Sequence, residues 1–448
     1  MPAQDSRFTY SIDALQQITQ DILAQARKAG ATACEAEVSQ GFGQDVSVRR
    51  SEVETIEYNR DKGLGVTVYF GQRRGHASTS DLSSAAIRDT VDAALSIARH
   101  TASDEFAGLP DEALLARDIP DLSLYHPWEL SVEAAIELAK NCEEAAMRVD
   151  ERISNSEGAS ISTQESLFMY GNSLGFLAGY PSSRHSVSCA VIAGENDAMQ
   201  RDYWYESKRD AADLGDVAAV GRRAGERTVR RLDARKIDTT ECPVLFEAPV
   251  ASGLFGHFVS AISGGSLYRK SSFLLDSLGK PVFAPLVNIR ELPHLEKGLA
   301  SSPFDNEGVA TRARDLVRDG VLQGYMLGSY SARKLGMVTT GNAGGNHNLI
   351  IESTGEDFEQ LLKLMGSGLL VTELLGHGIN PVTGDYSRGA AGFWVENGEI
   401  LYPVEEVTIA GNLAQMYRDI SAIGSDVLAQ GSKQCGSTLI GKMTVAGN

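Results

Sequence analysis

The sequence is short of cysteine and of positive charge, and it contains no long uninterrupted apolar run. Its five cysteines (Cys34, Cys142, Cys189, Cys242 and Cys435) are scattered, with no C-x-x-C pair among them. That spacing excludes a disulfide framework and a zinc knuckle, and a reducing, cytoplasmic compartment is expected. Lys and Arg number 41 against 59 Asp and Glu, a formal charge of −18. Nucleic-acid binding draws on clustered cations, so no direct nucleic-acid partner is expected. The most apolar stretch, Leu361 to Ile379, is broken by Lys363, Glu373 and four glycines, which rules out a membrane span of ~20 residues. The N-terminal MPAQDSRFTYSIDALQQ has no charged segment leading into an apolar run, so no signal peptide is expected. No P-loop and no complete G-x-G-x-x-G occurs, and no two of the eight histidines lie within ten residues of each other. Nucleotide cofactors and a helix-borne metal pair therefore lack support.

What is present is an ordinary globular composition, 42% apolar and 22% charged, in a chain of 448 residues. Single cores stop growing near ~250–300 residues, so two or three domains are expected. Residues 11–30 carry apolar side chains at helical spacing and end at Gly30. Four strands follow (ACEAEVS, QDVSVRR, VETIEYNR and GLGVTVYF), punctuated by Gly41, Gly43, Gly63 and Gly65, and then a helix over 81–100 with Asp81 as its N-cap. Beyond a proline-bearing connector the order returns: a helix from Ser131 to Val149, strands over 152–207, and a helix from Asp216 to Leu232. From about Ile237 short β-type runs and glycine-rich turns dominate, with helices beginning near Ala251 and near Glu356, the second capped by Thr354. The fold class is α+β, divided as 1–108, a connector at 109–130, a central unit at 131–236, and a mostly antiparallel β-barrel or sandwich at 237–448.

Several motifs invite chemistry. Gly171 to Gly175 matches G-x-S-x-G, but its flanks are strand-like, so a hairpin turn is expected there and not a nucleophile elbow. Ser331 to Lys334 fits S-x-x-K without either companion motif. The run Arg222–Lys236 holds seven basic and two acidic residues and reads as a helix with a solvated, cationic face. Two loops are stronger candidates for binding a peptide or a partner. One holds Asn342 and His347 among glycines whose backbone N–H groups suit a carboxylate or peptide end, and the other holds His377, Asn380, Asp385 and Tyr386.

Four segments are more specific: GLGVTVYFGQRRGHASTSDLS, SGLFGHFVSAISGGSLYRKSSFL, LLGHGINPVTGDYSRGAAGFWVENGEILYPVEEVTIAGNL and the terminal QCGSTLIGKMTVAGN. On these, the sequence resembles the TldD/PmbA family over nearly its whole length, and within it the PmbA (TldE) branch. The resemblance implies a partner of TldD, a zinc metallopeptidase subunit whose helix carries H-E-x-x-x-H and whose C-terminal cysteine is a further ligand. Placed on that motif, this chain has Gly256 and Ala261 at the two histidines and His257 at the glutamate. Both imidazoles are lost, and Cys435 alone falls short of the three protein ligands of a catalytic zinc. No catalytic residue, metal or cofactor is therefore expected in this chain, and zinc is expected in the TldD-type partner.

The resemblance further implies a heterodimeric peptidase that degrades unfolded peptides, trims leaders of modified peptides in antibiotic maturation, and turns over antitoxin. It also explains the older label of gyrase modulator. Peptide substrates, a heterodimer with the TldD-type subunit, and a homodimer for the isolated chain are the expected associations. The alternative is a stand-alone homodimeric regulator that binds peptides or a protein without hydrolysis.

Overall fold

The computed structural model describes residues 7–447, so the first six residues of the N-terminal stretch and the final Asn448 lie outside it. The first half runs α1 (Ile12–Lys28), β1 (Ala33–Arg49), β2 (Glu52–Phe70), β3 (Arg73–Thr79), α2 (Ser84–His100), α3 (Val132–Met147), β4 (Ile153–Asn172), β5 (Leu177–Ala178), β6 (Pro181–Ala193), β7 (Gln200–Lys208) and α4 (Val217–Arg230). Its strands form one seven-stranded sheet in the order β3-β2-β1-β4-β6-β7, with β5 paired to β4. Each half of that order begins with the first strand of its own helix–strands–helix unit, and the two first strands pair antiparallel, from Glu35 with Asn172 to Val48 with Ala159.

Alternation along β1 explains the layering. Val38, Val46 and Val48 are fully buried under helices, whereas Glu35, Glu37 and Ser39 point to the opposite face. α1 and α2 cover Val38, Val66 and Met169, while α3 and α4 cover Val46, Ile161 and Val191. Between α3 and α4 the backbones touch: a Cβ on Gly221 would lie 1.9 Å from the Cys142 carbonyl oxygen, and one on Gly225 would lie 2.6 Å from that of Ala146. Gly221→Ala must push the helices apart, and we expect it to lower the unfolding free energy by about 1–3 kcal/mol, read from denaturant midpoints.

Three sequence expectations need correction here. The four strands of the first unit are two long ones, because Gly41, Gly43, Gly63 and Gly65 keep negative or extended φ and continue the ladder; likewise SEGASISTQ and ESLFMYGN merge into β4. Ser83, not Asp81, caps α2, since its hydroxyl accepts from the Ala86 N–H; Asp81 accepts from the N–H of Ser83. The cationic face of α4 is solvated only in part: Arg222, Arg223 and Arg230 are exposed as expected, but Arg227 and Arg231 turn inward. Arg223 stacks over Trp204 at 3.6 Å, Arg227 donates to both oxygens of Glu247 at 2.9 Å, and Arg231, which caps the helix, reaches Glu373 at 2.5 Å. The Arg227 and Arg231 side chains are only 12% exposed, because acids from the neighbouring elements converge on them. Gly171–Gly175 is the expected hairpin turn between β4 and β5, with the Asn172 side chain accepting from the Leu174 N–H.

The second half runs β8 (Thr240–Phe246), α5 (Ala248–Ala261), α6 (Gly264–Tyr268), β9 (Ile289–Leu292), β10 (Arg314–Arg318), β11 (Val321–Leu322), α7 (Ser329–Lys334), β12 (Asn348–Ile351), α8 (Phe358–Met365), β13 (Gly368–Leu375), β14 (Asp385–Glu396), β15 (Glu399–Asn412), α9 (Leu413–Arg418), β16 (Ile420–Ile423), β17 (Lys433–Gln434) and β18 (Thr438–Ala446). Strands β15-β14-β13-β8-β18 close on themselves through a β15–β18 pairing and form a five-stranded barrel, antiparallel except for β8 beside β13. The chain is thus α+β with a barrel at its C-terminal end. One face of the strands packs on α8 through Leu245, Leu370 and Leu439; the other joins a core of Phe255, Phe258, Phe283 and Tyr417. α5 starts at Ala248, with proline in its first turn, and α8 is capped by Asp357 in a reciprocal box with Gln360. Thr354 does not cap that helix; its hydroxyl instead donates to the Ile423 carbonyl. Among the described residues no helix is long and apolar enough to cross a membrane.

Candidate functional site

α5 buries Ala251, Leu254, Phe255, Phe258 and Ala261, an i, i+3, i+4, i+7 stripe. Its other face carries Ser252, Gly253, Gly256 and His257, and this face looks into a groove walled by β13 and β14. His257 sits edge-on to Tyr386 with ring centroids 6.1 Å apart. Burial, and then the charge of Arg388, lower its pKa and keep the imidazole neutral. Tyr386 is itself buried and shifted up to about 12, and Arg388 follows it on the same strand face.

Gly256 and Ala261 offer no donor atom to a metal. Ala261 is 4% exposed and lies in the core, with its carbonyl accepting from the Ser272 hydroxyl at 2.6 Å. Where a side chain on Gly256 would begin, the Lys433 stem is already packed, with Cε 3.6 Å from that point. Cys435 lies under the N-terminal turn of α5, its thiol directed at the Ala248 carbonyl at 3.9 Å. Burial foremost, aided by Asp426 and opposed by Lys433, pushes it up to about 12, so it stays a thiol. All five cysteines are free and buried. Among the described residues no group of three or more His, Cys, Asp or Glu side chains is placed to hold a metal ion. The donor set left on this helix does not suit zinc.

The two candidate loops lie apart in the fold. Asn342 and His347 are buried and meet on one carboxylate, Glu291. It accepts from Asn342 Nδ2 at 2.7 Å and from the His347 backbone N–H and Nδ1 at 3.0 Å each, while Arg314 bonds its other oxygen at 2.8 Å. Burial alone would raise Glu291, but His347 and Arg314 prevail and hold it at about 2. Nearby, Asp305 accepts from the N–H of Ala343, and burial lifts it to about 6. In the other loop His377, Asn380 and Asp385 are exposed. Asn380 Oδ1 accepts from the Val382 N–H at 3.0 Å, and Asp385 accepts from the Thr383 hydroxyl at 2.6 Å. Tyr386 of that loop turns inward, into the core beside His257 of α5.

A second cavity of about 640 Å³ lies where the polar face of the large sheet meets the 341–347 loop. Glu35, Arg74, His76, Tyr170 and Glu307 line it. Tyr170 donates to Glu35 at 2.8 Å, and burial raises the Glu35 pKa against that bond.

Sequence reasoning missed Glu291, Thr372, Arg388 and Lys433. Lys433 carried a usable signal, a cation two residues before Cys435. Arg388 and Thr372 carried none, since nothing local marks strand residues that face a groove.

The family models that match this chain are those of a metallopeptidase class. Family models described as PmbA/TldA metallopeptidase domain 1, central domain and C-terminal domain match residues 34–98, 125–232 and 239–447. Metalloprotease PmbA of Escherichia coli O157:H7 is 54% identical over 425 residues, 95% of this chain and 94% of that protein. A metalloprotease PmbA homolog of Haemophilus influenzae is 51% identical, covering 94% of each. A metalloprotease TldD homolog of the same Haemophilus strain is 24% identical over 82% of this chain and 80% of its own. The crystal structure of a protein from Bacteroides thetaiotaomicron, named for modulation of DNA gyrase, superposes with a TM-score of 0.92 at 28% identity, covering 98% of this chain and all of that one. The chain belongs to the PmbA/TldD family, on its PmbA branch.

Proposed function

We propose that this chain is the non-catalytic, peptide-handling subunit of a two-component cytoplasmic metallopeptidase whose zinc is held by a TldD-type partner. The observation that carries this reading is α5 itself: its frame is kept while Gly256 and Ala261 lack donors, and Lys433 occupies the space beside Gly256. The presence of both a PmbA homolog and a TldD homolog in one Haemophilus strain supports a heterodimer. On this reading the substrates are unfolded or modified peptides, including leaders and antitoxin. On this reading the link to gyrase is indirect, because the net charge of −18 disfavours a phosphate backbone and Arg227 and Arg231 are spent on internal carboxylates.

The test is to purify the chain alone and together with an H-E-x-x-x-H subunit, and to measure bound zinc and cleavage of an unfolded peptide. Zinc and cleavage are expected only in the mixed preparation, and to vanish on loss of the partner's glutamate. Zinc-dependent cleavage by this chain alone would overturn the reading, as would failure of the two chains to associate.

A further inference from the structure

Beside the donor-free helix face lies a cavity of about 280 Å³ between α5, β7, β13 and β14. Its charged lining is Asp202, Arg227, Glu373 and Arg388. Three of these four are committed within the chain. Arg227 is bonded to Glu247 and lies 3.4 Å from Asp202, and Arg231 approaches Asp202 at 3.7 Å and Glu373 at 2.5 Å. Arg388 differs. Its guanidinium is hydrogen-bonded to the Tyr386 side chain, but among the described residues no carboxylate is ion-paired with it, and its Nε, shielded from solvent, has no hydrogen-bond acceptor. Thr372, also in the lining, is 9% exposed, and its hydroxyl is likewise without a partner. A guanidinium without a carboxylate partner and an unmatched buried hydroxyl in the lining of one cavity are costly, and an anionic ligand there relieves that cost. Outside the cavity, the Lys433 stem lies over Gly256 of the same helix α5.

We propose that this cavity is a carboxylate-binding site for an extended peptide, with Arg388 as the ionic partner and Thr372 as a hydrogen-bond donor. Its volume is near the lower end of the ~300–1,000 Å³ usual for ligand pockets, which suits one terminal residue or one acidic side chain. Tyr203, Trp204 and Tyr205 supply an aromatic wall for the aliphatic part. The site rests on the peptide-handling part of the reading above. Because binding is measured on this chain alone, its failure leaves the pairing with a zinc subunit untouched.

The experiment titrates three peptides into the full chain and follows heat and the tryptophan fluorescence to which Trp204 contributes: acetyl-tetraalanine with a free carboxylate, the same peptide as the amide, and acetyl-trialanyl-glutamate as the amide. Binding of either acidic peptide at least tenfold tighter than the neutral amide is expected, and which of the two wins tells a chain terminus from an acidic side chain. Arg388→Gln should abolish that preference, with Thr372→Val weakening it severalfold. Equal affinity for all three peptides, or no binding of any, would overturn the proposal, as would a preference that survives in a folded Arg388→Gln protein. The wild-type comparison decides the matter even where a variant fails to fold.

Discussion

Glu291→Ala is expected to lower the unfolding free energy by about 3–5 kcal/mol, the range for breaking a buried charge pair from one side. Glu291 is 1% exposed and accepts four hydrogen bonds, from Arg314, Asn342 and twice from His347. Without it the Arg314 guanidinium keeps only its bonds to the Tyr325 carbonyl and to Asn342 Oδ1, and the 341–347 loop loses the carboxylate that fixes it. Denaturant unfolding with an unchanged slope and a lower midpoint is the expected form of the result. A variant within about 1 kcal/mol of the parent would show that water or Asn342 takes over the acceptor role.

The second large effect is a pH dependence of opposite sign at two acids under the same loop. Glu291 is depressed from 4.5 to about 2 in the folded chain. Its ionised form therefore contributes stability above pH 4.5 that is lost as pH falls toward 2, about 3 kcal/mol for a shift of this size. Asp305 is raised from 3.8 to about 6. The folded state holds its proton more tightly, so its contribution is complete below pH 3.8 and is lost as pH rises through 6, again about 3 kcal/mol. Comparison of the parent with Asp305→Asn across pH 3.5 to 7 isolates this term. The parent's stability relative to the variant should fall by about that amount as pH rises, and a flat difference would refute the assignment.

Much of the local structure was legible because it follows from short-range chemistry. Ser131 and Asp216 were read as the entries to α3 and α4, and both side chains accept from helix N–H groups in the structure. The β-rich character of the C-terminal half was also legible, with a barrel as one of the two architectures expected, whereas the pairing that closes it was not. The pairing of Ile409 with Val445 depends on the coiling of the intervening strands, which no window of sequence encodes. Glycine misled in β1 and β2, since a residue that permits a turn does not require one. Arg227 and Arg231 misled for the opposite reason: their charge was read as exposure, but Asp202, Glu247 and Glu373 arrive from distant segments to neutralise it. The site was half legible. The positions of Gly256, His257 and Ala261 came from the resemblance, while the convergence of Thr372, Arg388 and Lys433 upon that helix needed the folded chain.

The large sheet has a consequence for the order in which the chain matures. Strand β1 is flanked by β2 on one edge and by β4 on the other, and its contacts with β4 join residues 35–48 to residues 159–172. During synthesis the first helix–strands–helix unit is complete long before β4 leaves the ribosome. Until then its innermost strand has one open edge some fourteen residues long, the kind of edge that pairs promiscuously. Only arrival of the second unit ends that exposure, so the two units share a single window of vulnerability in biogenesis.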